Sequence, residues 1–452
     1  MKRSILILTL TTLLLAVGTS AYCATFADTY GMSPQGMSMG NAMTAHVNDW
    51  SSVYYNVAGL GRTAQNLTAK DKPAPVEVFI GYLNTQPQPK LDIPARYSVD
   101  SNGETTYYST NADQDLDYGS YILGATIDLN MFYDLESIPP HALSSCRLGI
   151  AMGINDDLSV AKVSDLEPQT HNYLRYGREA QQLTLLTGLG MGFLDDMFGV
   201  GIGVRSSFGG NGRVLLDGVQ VSTEEQKPSQ QNYMDLKLES SLVAGLYVDL
   251  NDLDLGFSYR QESKMKIDPF QTATITAVGN IPLNLALSIL DYYQPTSYTG
   301  GISYRFTDRL MLAFDVEFQK WSDYEVSSNQ QVNWGSILPK LDDIWIPKIG
   351  MQYDATPKTA LYLGYYYQPS FVPNNAVTGS VNWLDNDKHV GSVGVSYKVG
   401  KFLGFKVPMA LHAGYQLQYL VDRTVTKSEP TSMNPSYSYG GMVHTIMVGF
   451  SL

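Results

Sequence analysis

From residue 24 onward the chain has no run of about 18 apolar residues, so it offers no helical membrane span. Cysteine is almost absent, with only Cys23 and Cys146. Loss of Cys23 with an N-terminal leader excludes an internal disulfide. Charge is sparse, at 16% of residues, and acidic in balance, with a formal net charge of −13. No basic cluster relieves it, which argues against nucleic acid as a partner. The histidines are His46, His141, His171, His389, His412 and His444. None sits in a catalytic constellation or a metal motif, so the sequence supplies no catalytic residue, metal ligand or cofactor site. An outer-membrane hydrolase would need a histidine beside a nucleophile or an acid. His412 and His444 instead lie in strand-like segments and read as wall residues.

Residues 1–23 read as a secretory signal peptide. Lys2 and Arg3 form a basic n-region, Ile5 to Val17 a short apolar core, and Thr19 to Ala24 a small-residue cleavage region. Cleavage after Cys23, with Ala21 at −3, and after Ala21, with Thr19 at −3, both fit. Lipidation of Cys23 is disfavoured because bulky Tyr22 precedes it.

Tyrosine and glycine are abundant, at 31 and 40 residues, and alternation is the dominant pattern. From Ala180 to Phe193 the odd positions Leu183, Leu185, Leu189, Met191 and Phe193 are apolar. The even positions include Gln182, Thr184, Gly188, Gly190 and Gly192. A period of two is a β-strand with one apolar face. Leu236, Leu238, Leu242, Leu246 and Val248 repeat the theme opposite Asp235, Lys237, Glu239 and Asp249. Fourteen such segments are predicted, at 75–85, 117–130, 145–155, 180–193, 197–210, 233–250, 252–268, 295–306, 309–326, 341–354, 358–370, 387–399, 404–424 and 440–452.

Short connections (Leu194 to Asp196, Asn251, Thr307-Asp308, Ala355 to Pro357) alternate with long ones (86–116, 156–179, 211–232, 269–294, 327–340, 371–386, 425–439). Connection 131–144 is the exception, long on the short-turn side. Turns on one side and loops on the other mark a transmembrane barrel of the Gram-negative outer membrane, with an even strand number. The fold class is thus all-β, an antiparallel transmembrane β-barrel over residues 71–452 with both chain ends toward the periplasm. The last residues alternate through Ile446, Val448, Phe450 and Leu452, which resembles the signal read by the barrel-assembly machinery. Outer-membrane lipid and that machinery are the expected macromolecular surroundings of a monomer.

Residues 24–70 do not alternate. Eight strands fill a barrel with their own side chains, whereas fourteen leave a lumen that this segment is sized to plug. The segment carries Gly36, Gly40, Asp49, Tyr54 and Tyr55, then Asn56-Val57-Ala58-Gly59-Leu60. In that order these residues resemble the FadL/TodX (OMPP1) family of outer-membrane transporters for hydrophobic compounds. The family usually has proline at the place of Val57. Gly301 to Asp308, Trp321-Ser322-Asp323-Tyr324, and Asp387-Lys388-His389 before Gly391-Ser392-Val393-Gly394 are similar to later family motifs.

The resemblance implies passive transport of hydrophobic small molecules, long-chain fatty acids first and hydrocarbons next. Gly36, Gly40, Asp49, Asn56, Val57, Ala58 and Gly59 are then hatch or gate residues. A kink in the third strand, near Gly149 and Gly153, would give lateral exit. Loop 269–294 carries Ile281, Leu283, Leu285, Leu287, Ile289 and Leu290, an apolar run suited to ligand capture. The same run also fits a loop that packs on a neighbour or dips into lipid. Loop 211–232, with Glu224 and Glu225, is too polar to support a groove shared between the two. Arg205, Lys237, Arg260 and Arg305 have lumen parity and could hold a ligand carboxylate. Such charges, with Asp235, Glu239, Asp254, Asp315 and Glu317, also serve by pairing across the lumen. An aqueous porin or a structural or adhesive barrel are the alternatives. The porin predicts no plug, and the adhesive barrel predicts larger loops.

Overall fold

The structure is a computed structural model. It describes residues 25–62 and 75–452, apart from 95, 100–101, 109–115, 133–142, 156–170, 174, 177–182, 220–228, 268–269, 276–280, 287–288, 325–340, 374–381, 401–407 and 428–434. At 96, 98, 106–108, 155, 171–173, 209–219, 229–237, 265–267, 270–275, 281–286, 289–292, 382–383 and 400 it describes the backbone alone. The signal peptide of the sequence reading lies outside the described residues.

Fourteen strands form one antiparallel ring. They are β1 (Val76–Asp92), β2 (Tyr118–Asp128), β3 (Leu143–Asn155), β4 (Thr184–Phe193), β5 (Phe198–Val219), β6 (Ser229–Asp249) and β7 (Leu253–Arg260). The second half is β8 (Ser297–Thr307), β9 (Leu310–Gln319), β10 (Ile344–Thr356), β11 (Thr359–Gln368), β12 (Lys388–Gly400), β13 (Met409–Val425) and β14 (Tyr437–Ser451). Each pairs with the next in sequence. The ring closes where β14 pairs with β1, from Phe79 opposite Ser451 to Asp92 opposite Ser438. The number and order match the sequence expectation, because alternation is a direct print of a wall with two different solvents.

The alternation faces as expected. Along β4 every even position from Thr184 to Gly192 is buried, and the odd ones are partly exposed. Outward positions form an apolar belt that includes Leu148, Ile202, Leu246, Leu255, Ile302, Ile349, Leu363 and Ile446, all exposed in the absence of lipid. Trp345, Tyr304, Phe306 and Tyr397 add exposed aromatic rings to this surface. The tight turns use left-handed backbone: Leu194, Asp195 and Asp196 have φ of 55°, 55° and 65°, and Asn251 has 70°. Asp and Asn tolerate this region because their short side chains bond locally. Asp249 Oδ1 accepts from the Asn251 N–H at 2.8 Å.

The long-loop side departs from the reading in several places, among them connections expected as loop in which Arg96–Val99 pairs with Thr105–Tyr108 and His171–Tyr173 with Asn382–Leu384. Residues 211–219 and 229–232, expected as loop, continue β5 and β6 as a hairpin paired as far as Asp217 opposite Ser229. Polarity there does not end the backbone pairing. The strand expected over 252–268 breaks after Arg260. Gln261 bonds Leu242 as the last step of the pairing with β6, and 263–267 pairs instead with 289–294. Strand 270–275 pairs in parallel with β5 and antiparallel with 281–286. The described parts of the two excursions, 211–219 and 270–275, therefore share one sheet.

Candidate functional site

Residues 25–62 fold as short helical turns set by local caps. Thr25 caps α1 (Phe26–Thr29), its hydroxyl oxygen accepting from the Asp28 N–H. Ser33 caps α2 (Pro34–Ser38), accepting from the Gly36 N–H, with Pro34 at the first turn where it lacks nothing. α3 (Ser52–Tyr55) runs into a 3₁₀ turn at Val57–Gly61. Asn56 caps that turn: its Oδ1 accepts from the Ala58 N–H at 3.2 Å. Asn56 Nδ2 donates to Thr44 O at 2.8 Å and to Leu246 O at 2.9 Å, so one side chain ties the turn to the segment and to β6. Val57 stands at the first position of this turn and is fully buried. Proline suits that position, so Val57 and the family's proline satisfy the same geometry.

The segment touches the wall around the whole ring. Trp50 stacks on Phe79 of β1 at 4.4 Å, and Ser38 and Gln416 bind backbone between the segment and β12 and β13. α2 also meets β14. Wall glycines make room for it. A Cβ at Gly153 of β3 would meet Phe26, one at Gly201 of β5 would meet Val57 and Ala58, and one at Gly364 of β11 would meet Met39 and Gly40, all closer than 3.0 Å. Gly40 itself has φ of 62°, a conformation that suits glycine, where it crosses Tyr365. The third-strand glycines have the same explanation. β3 is paired on both sides from Arg147 to Gly153, and Gly149 receives Val53 and Leu60.

Ion pairs lock the seam. Arg205 Nη2 and Nη1 bond Asp28, and Arg260 Nη1 lies 3.6 Å from its Oδ1. Arg260 also bonds Glu317 at 2.8 Å, and Lys348 reaches Glu317 at 2.6 Å. Burial raises the Asp28 pKa, but the two guanidiniums outweigh it and hold the carboxyl below its ordinary value. Lower down, Arg62 pairs with Asp254 at 3.4 Å and donates to Ala45 O at 2.6 Å. Asp315 Oδ2 accepts from the Thr44 N–H at 2.9 Å. Asp49 Oδ1 accepts from the Ser51 N–H at 2.8 Å, and burial pushes its pKa up.

Of the residues singled out from sequence, Gly36, Gly40, Asp49, Asn56, Val57, Ala58 and Gly59 lie in this packed segment. Arg205 and Arg260 face it, and Arg305 borders a cavity with His46 and Arg62. The Lys237 side chain and Leu287 lie outside what is described. Ile281, Leu283, Leu285, Ile289 and Leu290 are placed by backbone alone, on the strand pairs above the barrel. Asp28, Tyr54, Arg62 and Lys348 were missed as site residues. Asp28 carried a signal, as the first acid in the sequence, but nothing local says where its partners are.

Two cavities between segment and wall hold about 50 and 30 Å³. A water takes about 30 Å³ of liquid, whereas small-molecule pockets run to roughly 300–1,000 Å³. Among the described residues, these two cavities have room for water molecules and not for a ligand. Among the described residues no group of three or more His, Cys, Asp or Glu is placed to hold a metal ion.

The model of the outer membrane protein transport protein family (OMPP1/FadL/TodX) matches residues 194–447. The chain belongs to this family. It is similar to alkane uptake protein A of Marinobacter nauticus, with 23% identity over 469 residues, covering 97% of this chain and 93% of that protein. A FadL homologue of Pseudomonas aeruginosa superposes with a TM-score of 0.55 at 14% identity, over 96% of this chain and 98% of that one. The CymD monoaromatic hydrocarbon channel gives 0.51 at 13%, over 95% and 98%. These two likenesses concern the fold. Family membership makes the chain an outer-membrane transport barrel for hydrophobic compounds, in a family of channels rather than enzymes.

Proposed function

We propose that the barrel carries hydrophobic molecules passively across the outer membrane, with residues 24–70 as a hatch that moves to open the path. The observation that carries this reading is the filled lumen: residues 25–62 touch every strand and leave cavities of water size. An aqueous porin needs the open passage that this segment occupies. Cargo reaches the hatch by way of the strand pairs 263–267 with 289–294 and 270–275 with 281–286, and the run Ile281, Leu283, Leu285, Leu287, Ile289 and Leu290, of which Leu287 lies outside the described residues, is the proposed apolar capture sequence. The lateral exit through the third strand has less support, since the paired and glycine-lined part of β3 is taken up by hatch packing.

Long-chain fatty acids and hydrocarbons share the apolar tail such a path must pass. The alkane uptake relative favours the hydrocarbon end. In this reading the leader, residues 1–23, is cleaved on export, the barrel-assembly machinery inserts the chain into outer-membrane lipid as a monomer, and both ends face the periplasm. Planar-bilayer recording tests the hatch. The intact protein should be electrically silent and a deletion of residues 25–60 should conduct. Steady conductance from the intact protein would return the porin reading.

A further inference from the structure

The cation-rich side of the lumen is already occupied by anions of the chain itself. Asp28, on the first turn of the hatch, takes two bonds from Arg205, lies 3.6 Å from Arg260, and accepts from Thr25 at 2.6 Å and Tyr54 at 3.2 Å. Its side chain is 12% exposed, and those of Arg205 and Arg260 are 6% and 13%. Arg260 lies over the Tyr54 ring at 4.8 Å and shares Glu317 with Lys348. Asp315 stands directly across from Lys348 in the β9–β10 register. Three cations thus face three carboxylates, and the guanidinium pair that would recognise a carboxylate head group holds one on a tether.

The turn-side end of the path tips the balance negative, whereas the loop-side end holds three cations around Asp385. Around the cavity at the turn side, Arg62 and Arg305 face Asp49, Asp196, Asp249 and Asp254. At the loop side Arg175 pairs with Asp385 at 2.8 Å. Lys388 donates to Gln418 within the field of Asp385, and Arg423 is spent on Ser370 Oγ and the carbonyls of Val372, Pro373 and Asp385. Beyond the loop side, an anionic cargo would meet Arg205, Arg260 and Lys348 already paired with carboxylates of the chain, and burying an unpaired charge is strongly unfavourable.

We propose that Asp28 is a specificity-determining residue: a tethered carboxylate that fills the Arg205–Arg260 site, so that the conduit takes uncharged long-chain molecules in preference to fatty acid anions. The proposal rests on the transport reading above and narrows its cargo.

The test uses the purified full chain in detergent, incubated at pH 8 with equimolar 1-hexadecanol and hexadecanoate, whose chains match and whose charges differ. Bound ligand is counted by native mass spectrometry. The protein should retain the alcohol over the acid by about tenfold or more, the size of a lost charge-assisted contact. Asp28→Asn takes the carboxylate from Arg205, leaves Arg260 with Glu317 alone at nearly constant volume, and should raise the acid-to-alcohol ratio by a similar factor. Asp28→Glu keeps the anion and should keep the original ratio. Equal retention of acid and alcohol by the unaltered protein, or a ratio that moves as far in Asp28→Glu as in Asp28→Asn, would overturn the proposal while leaving transport standing. Retention of neither compound would remove the transport reading and the proposal with it.

Discussion

Gly201 on β5 and Gly364 on β11 lie nearly opposite one another on the ring, and the hatch is seated between them. A Cβ at Gly201 would strike Val57 and the Ala58 nitrogen, and one at Gly364 would strike the backbone of Met39 and Gly40. In both cases the obstacle is main chain, which cannot rotate aside as a side-chain tip can. Overpacking of this kind costs about 1–3 kcal/mol per site. The sites are far apart, so the costs should add to about 2–6 kcal/mol in Gly201→Ala/Gly364→Ala. The strand pairs on either side are untouched, so the cost falls on hatch seating. A shift of about 1.4 kcal/mol is tenfold in population, so the open fraction should rise by at least about tenfold and saturate at the larger values. Planar-bilayer recordings should show frequent openings in the double variant and few in the parent. Gly300→Ala and Gly391→Ala place their methyl groups in open space and serve as controls that leave conductance unchanged. A double variant that migrates as a folded barrel and conducts no more than the parent would refute this account of the seam.

Val57→Pro should keep thermal stability within about 1 kcal/mol, since proline suits the first position of the turn, whereas Asn56→Ala loses three bonds and should cost about 1–3 kcal/mol by denaturant unfolding. Equal losses in the two variants would contradict the cap. His46 sits in the hatch, and burial together with Arg62 and Arg305 pushes its pKa down to about 3 from 6.5. The neutral ring stabilises the seated hatch fully above about pH 6.5, and that contribution is lost as pH falls toward 3, because only the released state takes up the proton. Conductance should therefore rise between pH 7 and pH 4 on the order of tenfold, and His46→Asn should flatten the rise. An unchanged pH profile in the variant would place the sensor elsewhere. Replacing Ile281, Leu283 and Leu285 by serine should lower hydrocarbon uptake several-fold, by removal of apolar contact area at about 25 cal/mol per Å². Full uptake in a labelled-alkane assay would take these strands out of the path.

The wall was legible in the sequence because a strand between lipid and lumen must alternate, and Leu183 to Phe193 records this residue by residue. The segment packed inside the ring was legible for a different reason: it does not alternate, and Asn56 to Leu60 sits in a capped, buried turn against wall glycines. The strand pairs above the membrane were hidden. Clear alternation is missing from 211–219 and 229–232, while backbone pairing continues to Asp217 opposite Ser229. The seam chemistry was hidden too. Arg205 and Arg260 showed lumen parity, but their partner Asp28 is 177 residues from Arg205 in sequence, and only the closed ring brings them together.

The account turns on whether the chain moves hydrophobic molecules without energy. The direct measurement is the accumulation of labelled hexadecane by Gram-negative cells that make the protein, with the proton gradient collapsed, against cells carrying the empty vector. Faster accumulation that survives the collapse and is lost when the hatch is locked to the wall by a disulfide is the expected result. Accumulation no faster than in the vector control would contradict it.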